Sequence, residues 1–256
     1  MTARRRPWIG MAGALSLASP APAFAHSFGM NSIDHYAEIE IGADHVRVRY
    51  LLDYAEFAAA PELDTVDADR DEAVTPEERE SYLAAKTATI LERLRLQIDG
   101  AHVPLVVSWR RVAFPPGEAG HSTVRLTWEL FANDLALADA THFLVWNDSN
   151  HEDHEGWKEI RFLGTGGIGI GSTSLRWNGE LSSDGLYPPE VLANPPTDTK
   201  AWCRFGVGLE PETHPGYGEF SATPEPRALP QRASRVAFAA GLAALAFALF
   251  AWSERA

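Results

Sequence analysis

Cysteine is nearly absent from this 256-residue chain, Cys203 being the only one. That excludes an intramolecular disulfide and any cysteine-based zinc site. Positive charge is scarce as well. Lys and Arg number 22 against 35 Asp and Glu, a formal net charge of −13, and that sign argues against nucleic acid, whose phosphates need a basic face. No G-x-S-x-G, H-E-x-x-H or P-loop occurs, and no nucleophile–base pair is legible, so the chain reads as a non-enzyme. Tryptophan, proline and glycine are plentiful, at 8, 17 and 20 residues, which points to turn-rich β structure. An apolar content of 45% supports a packed core and argues against wholesale disorder.

Both ends of the chain read as targeting segments. Residues 1–25 have the layout of a secretory signal peptide: Arg4, Arg5 and Arg6, then the short apolar stretch Trp8–Leu17, then the small-x-small pattern Ala23-Phe24-Ala25. The competing reading is an uncleaved anchor. Cleavage would leave His26 as the first residue of the mature protein. Residues 236–252, VAFAAGLAALAFALFAW, form an uncharged and mostly apolar run at the short end of the roughly 17–25 residues that span a bilayer. A buried core helix and a processed sorting tail compete with that reading. The expected arrangement is a single C-terminal transmembrane helix with the bulk of the chain outside, in the periplasm or its equivalent. Residues 210–235, rich in Pro and polar residues, read as the linker that lifts the domain off the membrane.

Between the two lies a domain over residues 26–209, whose dominant hydrophobic period is two. Tyr36–Ile41 and Val46–Leu52 alternate around Gly42-Ala43-Asp44 and predict a hairpin. Leu94–Ile98 and Val103–Phe114 flank Asp99-Gly100, a two-residue turn signal. Val124–Phe131, Phe143–Trp146, Trp157–Leu163 and Ile168–Trp177 supply four more strands. This pattern predicts a mostly β protein, an antiparallel β-sandwich, with one insertion at about residues 64–95. There Thr75, Pro76 and Glu78 make a capping box ahead of a helix that runs to about Arg95. Ala55–Leu63 reads as a short helix in front of it.

The sharpest chemical motif sits in that insertion. Residues 67–78 fit the twelve-residue EF-hand calcium loop. Asp67, Asp69 and Asp71 fill positions 1, 3 and 5. Ala73 offers its carbonyl at position 7, Thr75 stands at position 9, and Glu78 is the bidentate position 12. Calcium is a hard cation that takes six to eight oxygens, and alternate residues of a tight loop point inward. Glu72 departs from the pattern, because position 6 is normally a glycine that makes the sharp turn. The competing reading is a solvated acidic helix cap.

Nine histidines give a softer signal. His151 and His154 stand in the acidic tract Asn147–Glu155, where His-x-x-His can chelate a divalent transition ion. As a first residue, His26 would offer both its amine and its ring nitrogen to one metal, with His35 completing the set. Nickel and copper favour such nitrogen donors. The bland readings are an acidic surface loop and a cleavage site that happens to precede a histidine. Two further features carry nothing. Gly164-Thr165-Gly166-Gly167-Ile168-Gly169 matches G-x-G-x-x-G but opens no helix, so it reads as a glycine-rich turn. Cys203 reads as a buried, inert thiol.

The stretch His26-Ser27-Phe28-Gly29-Met30-Asn31-Ser32-Ile33-Asp34-His35-Tyr36 resembles the H-P-x-G-N-x-S-x-N-H-Y opening of a bacterial domain. That domain is the extracytoplasmic N-terminal module of NicO/RcnA-like nickel/cobalt transporters. Four more stretches follow in the same order: Val48–Phe57, the Asp67–Glu78 loop, Gly156-Trp157-Lys158-Glu159-Ile160 and Ser183–Pro188. The resemblance spans about residues 26–205. Ser27 replaces the usual proline, Met30-Asn31 shifts the Gly-Asn pair and Glu72 replaces the loop glycine. The fused transporters also continue into a multi-helix permease, whereas this chain ends in one apolar run. The resemblance implies a nickel or cobalt context in which this protein holds or presents the ion, or regulates a separate permease. The alternative is a calcium-stabilised adhesion or assembly module with no transition metal.

Overall fold

The computed structural model describes residues 29–117, 120–176 and 189–210. The expected signal peptide over residues 1–25, His26, the expected linker beyond residue 210 and the apolar run 236–252 lie outside the described residues. Among the described residues no helix is long and apolar enough to cross a membrane.

Among the described residues ten strands form two five-stranded sheets, with the order β5-β6-β2-β1-β8 in one and β4-β3-β7-β10-β9 in the other. The first sheet contains β1 (Ile33–Ile41), β2 (Val46–Tyr54), β5 (Val106–Ala113), β6 (Val124–Ala132) and β8 (Lys158–Gly164). The second contains β3 (Leu94–Ile98), β4 (Ala101–Val103), β7 (His142–Asp148), β9 (Ile168–Thr173) and β10 (Lys200–Val207). All strand pairings are antiparallel except β1 with β8, which run parallel from His35↔Lys158 to Ile41↔Gly164. The antiparallel expectation therefore holds for the sheets as a whole and fails at this one seam.

Alternation places the core. Along β1 and β6 every second residue is buried, and the inward set includes Ile39, Val48, Tyr50, Leu52, Leu126, Trp128 and Leu130. From the other sheet come Leu96, Leu144, Trp146, Cys203 and Phe205. Each large side chain so buried contributes about 1.5–3 kcal/mol. Cys203 is fully buried, and burial pushes its thiol well above the usual range, which fits an inert packing role.

The 36–41/46–52 hairpin forms as expected and extends by two to three residues. Asp99 (φ 50°) and Gly100 (φ 82°) both adopt the left-handed conformation that a two-residue hairpin turn demands. The strand expected over residues 103–114 is broken, however. β4 ends at Val103, Pro104 follows, and β5 leaves to pair with β6 in the opposite sheet. Strand β10 and the short helix α3 (Pro189–Ala193) have no counterpart in the sequence reading. The insertion between β2 and β3 is a helix–loop–helix. Its first helix, α1 (Glu56–Val66), is longer than expected and contains Pro61. Its second, α2 (Pro76–Glu92), carries the full Thr75/Glu78 capping box. It stops short of Arg95 because Leu94 is already the first inward residue of β3.

Candidate functional site

Two donor groups stand at the two ends of α2. The first is the acidic loop. The carboxylates of Asp67, Asp69 and Asp71 come together, with one oxygen from each lying within 4.8 Å of the others, and among the described residues no other group of three His, Cys, Asp or Glu does so. The loop's own backbone produces this convergence. Asp67 closes α1, its N–H bonding to the Leu63 carbonyl at 3.1 Å. Its Oδ1 accepts from the Asp71 N–H and its Oδ2 from the Glu72 N–H, at 3.2 and 3.0 Å. The Ala73 N–H in turn donates to Asp71 Oδ1 at 2.8 Å. Glu72 stands at φ 69°, so the glutamate adopts the left-handed turn that position 6 requires, with the strain a Cβ brings there.

The remaining expected ligands are placed differently. Glu78 is not part of the acidic trio. Its Oε1 accepts from the Ala68 and Asp69 N–H groups at 2.9 and 3.4 Å, and its Oε2 from the Thr75 N–H and hydroxyl at 2.9 and 2.8 Å. Thr75 Oγ1 also accepts from the Glu78 N–H at 3.2 Å. In this arrangement Glu78 ties the start of the loop to the start of α2. Hydrogen bonds from Thr75, backbone first and then hydroxyl, hold its carboxyl below the usual range. Asp69 goes the other way. The hydrogen bond from the Asp71 backbone lowers it, but partial desolvation and the neighbouring charges of Asp71, Glu78 and Asp67 raise it overall. Crowded carboxylates repel one another in this way, and a bound cation would relieve that repulsion.

The second group is buried. His35 lies on the inward face of β1, 4% exposed, and its Nδ1 is 2.8 Å from Asp148 Oδ2 at the end of β7. Tyr50, from β2, donates its hydroxyl to the same oxygen at 2.7 Å. The Asn150 backbone N–H and Nδ2 both donate to Asp148 Oδ1 at 2.9 Å. Burial alone would raise the Asp148 carboxyl, but the bonds from His35, Tyr50 and the Asn150 backbone outweigh it and hold the group below the usual carboxylate range. An ionised carboxylate only accepts, so His35 Nδ1 carries a proton and donates it to Asp148. His35 Nε2 is buried and has no hydrogen-bond partner.

His151 stands across from His35, the ring centres 6.1 Å apart and the planes at 87°. It occupies a turn at φ 43°, and its Nε2 is 2.8 Å from the Tyr54 hydroxyl. Desolvation first, then the charges of His35 and Lys86, push His151 down to about 4, so it is neutral at physiological pH. Burial raises Tyr54 well above the usual phenol range, which keeps its proton in place. His154 follows three residues on, its ring centre 5.8 Å from that of His151, partly exposed and 3.2 Å from Asp153.

The turn between β7 and β8 is fastened from two sides. Ser149 N–H donates to the Arg93 carbonyl at 3.0 Å and Asn150 Nδ2 to the Ile90 carbonyl at 3.3 Å, both beside the C-terminal end of α2. On the other side Ile33 N–H donates to the Glu155 carbonyl and Trp157 N–H to Asp34 Oδ1. Gly156 makes that second contact possible, since a Cβ there would sit 2.1 Å from the Ile33 carbonyl oxygen.

The sequence reading named Asp67, Asp69 and Asp71, which the structure brings together. It also named His35, His151 and His154, which meet at one end of the sandwich although 116 residues separate the first two. It missed Asp148, Tyr50, Tyr54 and Asn150. The available signal was polar-tipped aromatics at inward positions of β2, which need partners when buried. No family model, characterised protein or solved structure matches the chain. The resemblance to the transporter module therefore rests on the quoted motifs.

Proposed function

We propose that the protein is a membrane-anchored extracytoplasmic accessory domain in the handling of divalent transition metal, nickel or cobalt, with calcium held in the Asp67–Glu78 loop. The observation that carries the reading is the loop path. Three aspartates converge, and Glu72 takes the left-handed turn despite its side chain. Backbone hydrogen bonds hold the trio in place, and a bound cation would offset both the like-charge repulsion and the about 1–2 kcal/mol of backbone strain. Asp67, Asp69 and Asp71 supply the carboxylates, the Ala73 carbonyl and Thr75 complete the near side, and Glu78 joins once it leaves the Ala68 and Asp69 N–H groups. Calcium bound there would lock α1 to α2 and, through α2, the turn that carries His151.

A second reading is supported by the trio being the only convergent group of three among the described residues. On that reading the protein is a calcium-stabilised adhesion or assembly module of the cell envelope, with no transition metal. One measurement tests the shared premise. Thermal melts of the metal-free protein should rise with calcium, by about 2.7 kcal/mol at a hundredfold excess over Kd, and the rise should vanish in Asp67→Asn with Asp71→Asn. A melt that calcium leaves unmoved overturns both. Titration with nickel and cobalt at saturating calcium then separates them, because only the first reading expects histidine-dependent binding.

A further inference from the structure

A buried ring nitrogen without a hydrogen-bond partner costs about 1–3 kcal/mol, and His35 Nε2 is one. A fold that keeps such an atom through a dedicated Asp148 contact is holding it for something. A carboxylate on one ring nitrogen fixes the tautomer and orientation of an imidazole whose other nitrogen binds metal. We infer that His35 and His151 form a nitrogen site for one divalent transition ion, with His35 Nε2 and His151 Nδ1 as the ligand atoms and with Asp148 and Tyr54 as the partners that orient them. The inference rests on the transition-metal reading above and narrows it from four histidines to two, adding the residues behind them.

The two imidazoles are built alike. His35 presents Nδ1 to Asp148 and leaves Nε2 unpartnered. His151 presents Nε2 to the Tyr54 hydroxyl, and its Nδ1 has no partner among the described residues. With Nε2–H donating to Tyr54 Oη, Nδ1 is the free lone pair. A tetrahedral ion with metal–nitrogen distances of about 2.0–2.1 Å holds two ring centres roughly 5 Å apart. The observed 6.1 Å therefore has to shorten by about 1 Å, and a side-chain rotation of His151 on its surface turn supplies that. Imidazole selects nickel, copper, zinc and cobalt over calcium and magnesium, so the buried pair and the acidic loop do not compete for the same ion. Two protein nitrogens leave open positions on the metal. That suits an ion to be passed on better than one held permanently. Partly exposed His154, beside His151, is placed at the outer side of the pair.

The test uses the purified full chain, freed of metal and then saturated with calcium, titrated with Co²⁺ followed by its visible spectrum and with Ni²⁺ by calorimetry. Wild type should bind one ion. His35→Gln and His151→Gln should each weaken binding by about 100-fold or more, and Asp148→Asn and Tyr54→Phe by about 10–100-fold, in proteins whose metal-free circular dichroism is unchanged. Should His35→Gln fail to fold, His151→Gln on its turn carries the test. Affinity unchanged in a folded His151→Gln protein overturns the site. If that affinity is instead lost in His26→Gln, the transition-metal reading stands without this site. If wild type binds neither Co²⁺ nor Ni²⁺, both fall together.

Discussion

The acidic loop and the histidine cluster stand at opposite ends of α2, about 25 Å apart along a 17-residue helix. The loop lies in water and is made almost entirely by neighbours in sequence. Asp67, Asp69, Asp71 and Glu78 bond to backbone groups two to ten residues away. The cluster lies between the sheets and is made by residues 98 to 116 apart. Exposed carboxylates keep their charge cheaply, whereas a buried carboxylate survives only because several donors face it. The oxygen donors therefore stand where desolvation is slight, and the imidazoles of His35 and His151 stand where protein covers most or all of the ring. One helix joins the two without mixing their chemistries.

Breaking the comparison at Asp148 should have the largest effect. Asp148→Ala strips His35, Tyr50 and Asn150 of a shared acceptor and should cost about 3–5 kcal/mol in denaturant unfolding. Asp71→Ala in the exposed loop, without calcium, should cost less than about 0.5 kcal/mol. Equal losses would erase the distinction between the two regions.

Acid should sharpen it next. His151 has a folded pKa of about 4, below the ordinary value of about 6.5, so the unfolded chain binds the extra proton first. Stability from this group is fully present above about pH 6.5 and is lost as pH falls to about 4. With part of the ring still in contact with solvent, the loss should be about 1–2 kcal/mol. Comparing melts of wild type and His151→Gln from pH 7 to 4 checks it, since the variant should lack this component of the slope. Asp69 in the loop is shifted upward, so its contribution has the opposite sign and favours the folded state as pH falls.

The smallest expected effect is at Glu72. Glu72→Gly should relieve the φ 69° turn and raise stability by about 0.5–1 kcal/mol in calcium, with tighter calcium binding in the same titration. A loss in both would mean that the Glu72 side chain, and not the turn, is what the loop needs.

How much of this was legible in the sequence follows the same division. The Asp67–Glu78 loop and the Thr75 cap were readable because their spacing is their geometry. The β1–β2 hairpin was readable because alternation and a turn coincide within twenty residues. Meeting of His35 with His151 was not derivable, since it depends on β8 laying itself beside β1. Val106–Ala113 misled because its alternation continues that of β4, and only Pro104 marks the change of sheet. Leu94 fitted the stripe of α2 and the inward face of β3 equally well.

The parallel seam has a consequence in time. A hairpin zips as soon as its turn is made, but β1 cannot acquire its second neighbour until residues 158–164 exist. Closing a segment of that length is slow compared with forming local turns. The first strand to emerge is thus among the last to be finished. His35 pairs with Lys158 across that seam, so the wall beside that imidazole is completed by a part of the chain made more than a hundred residues later.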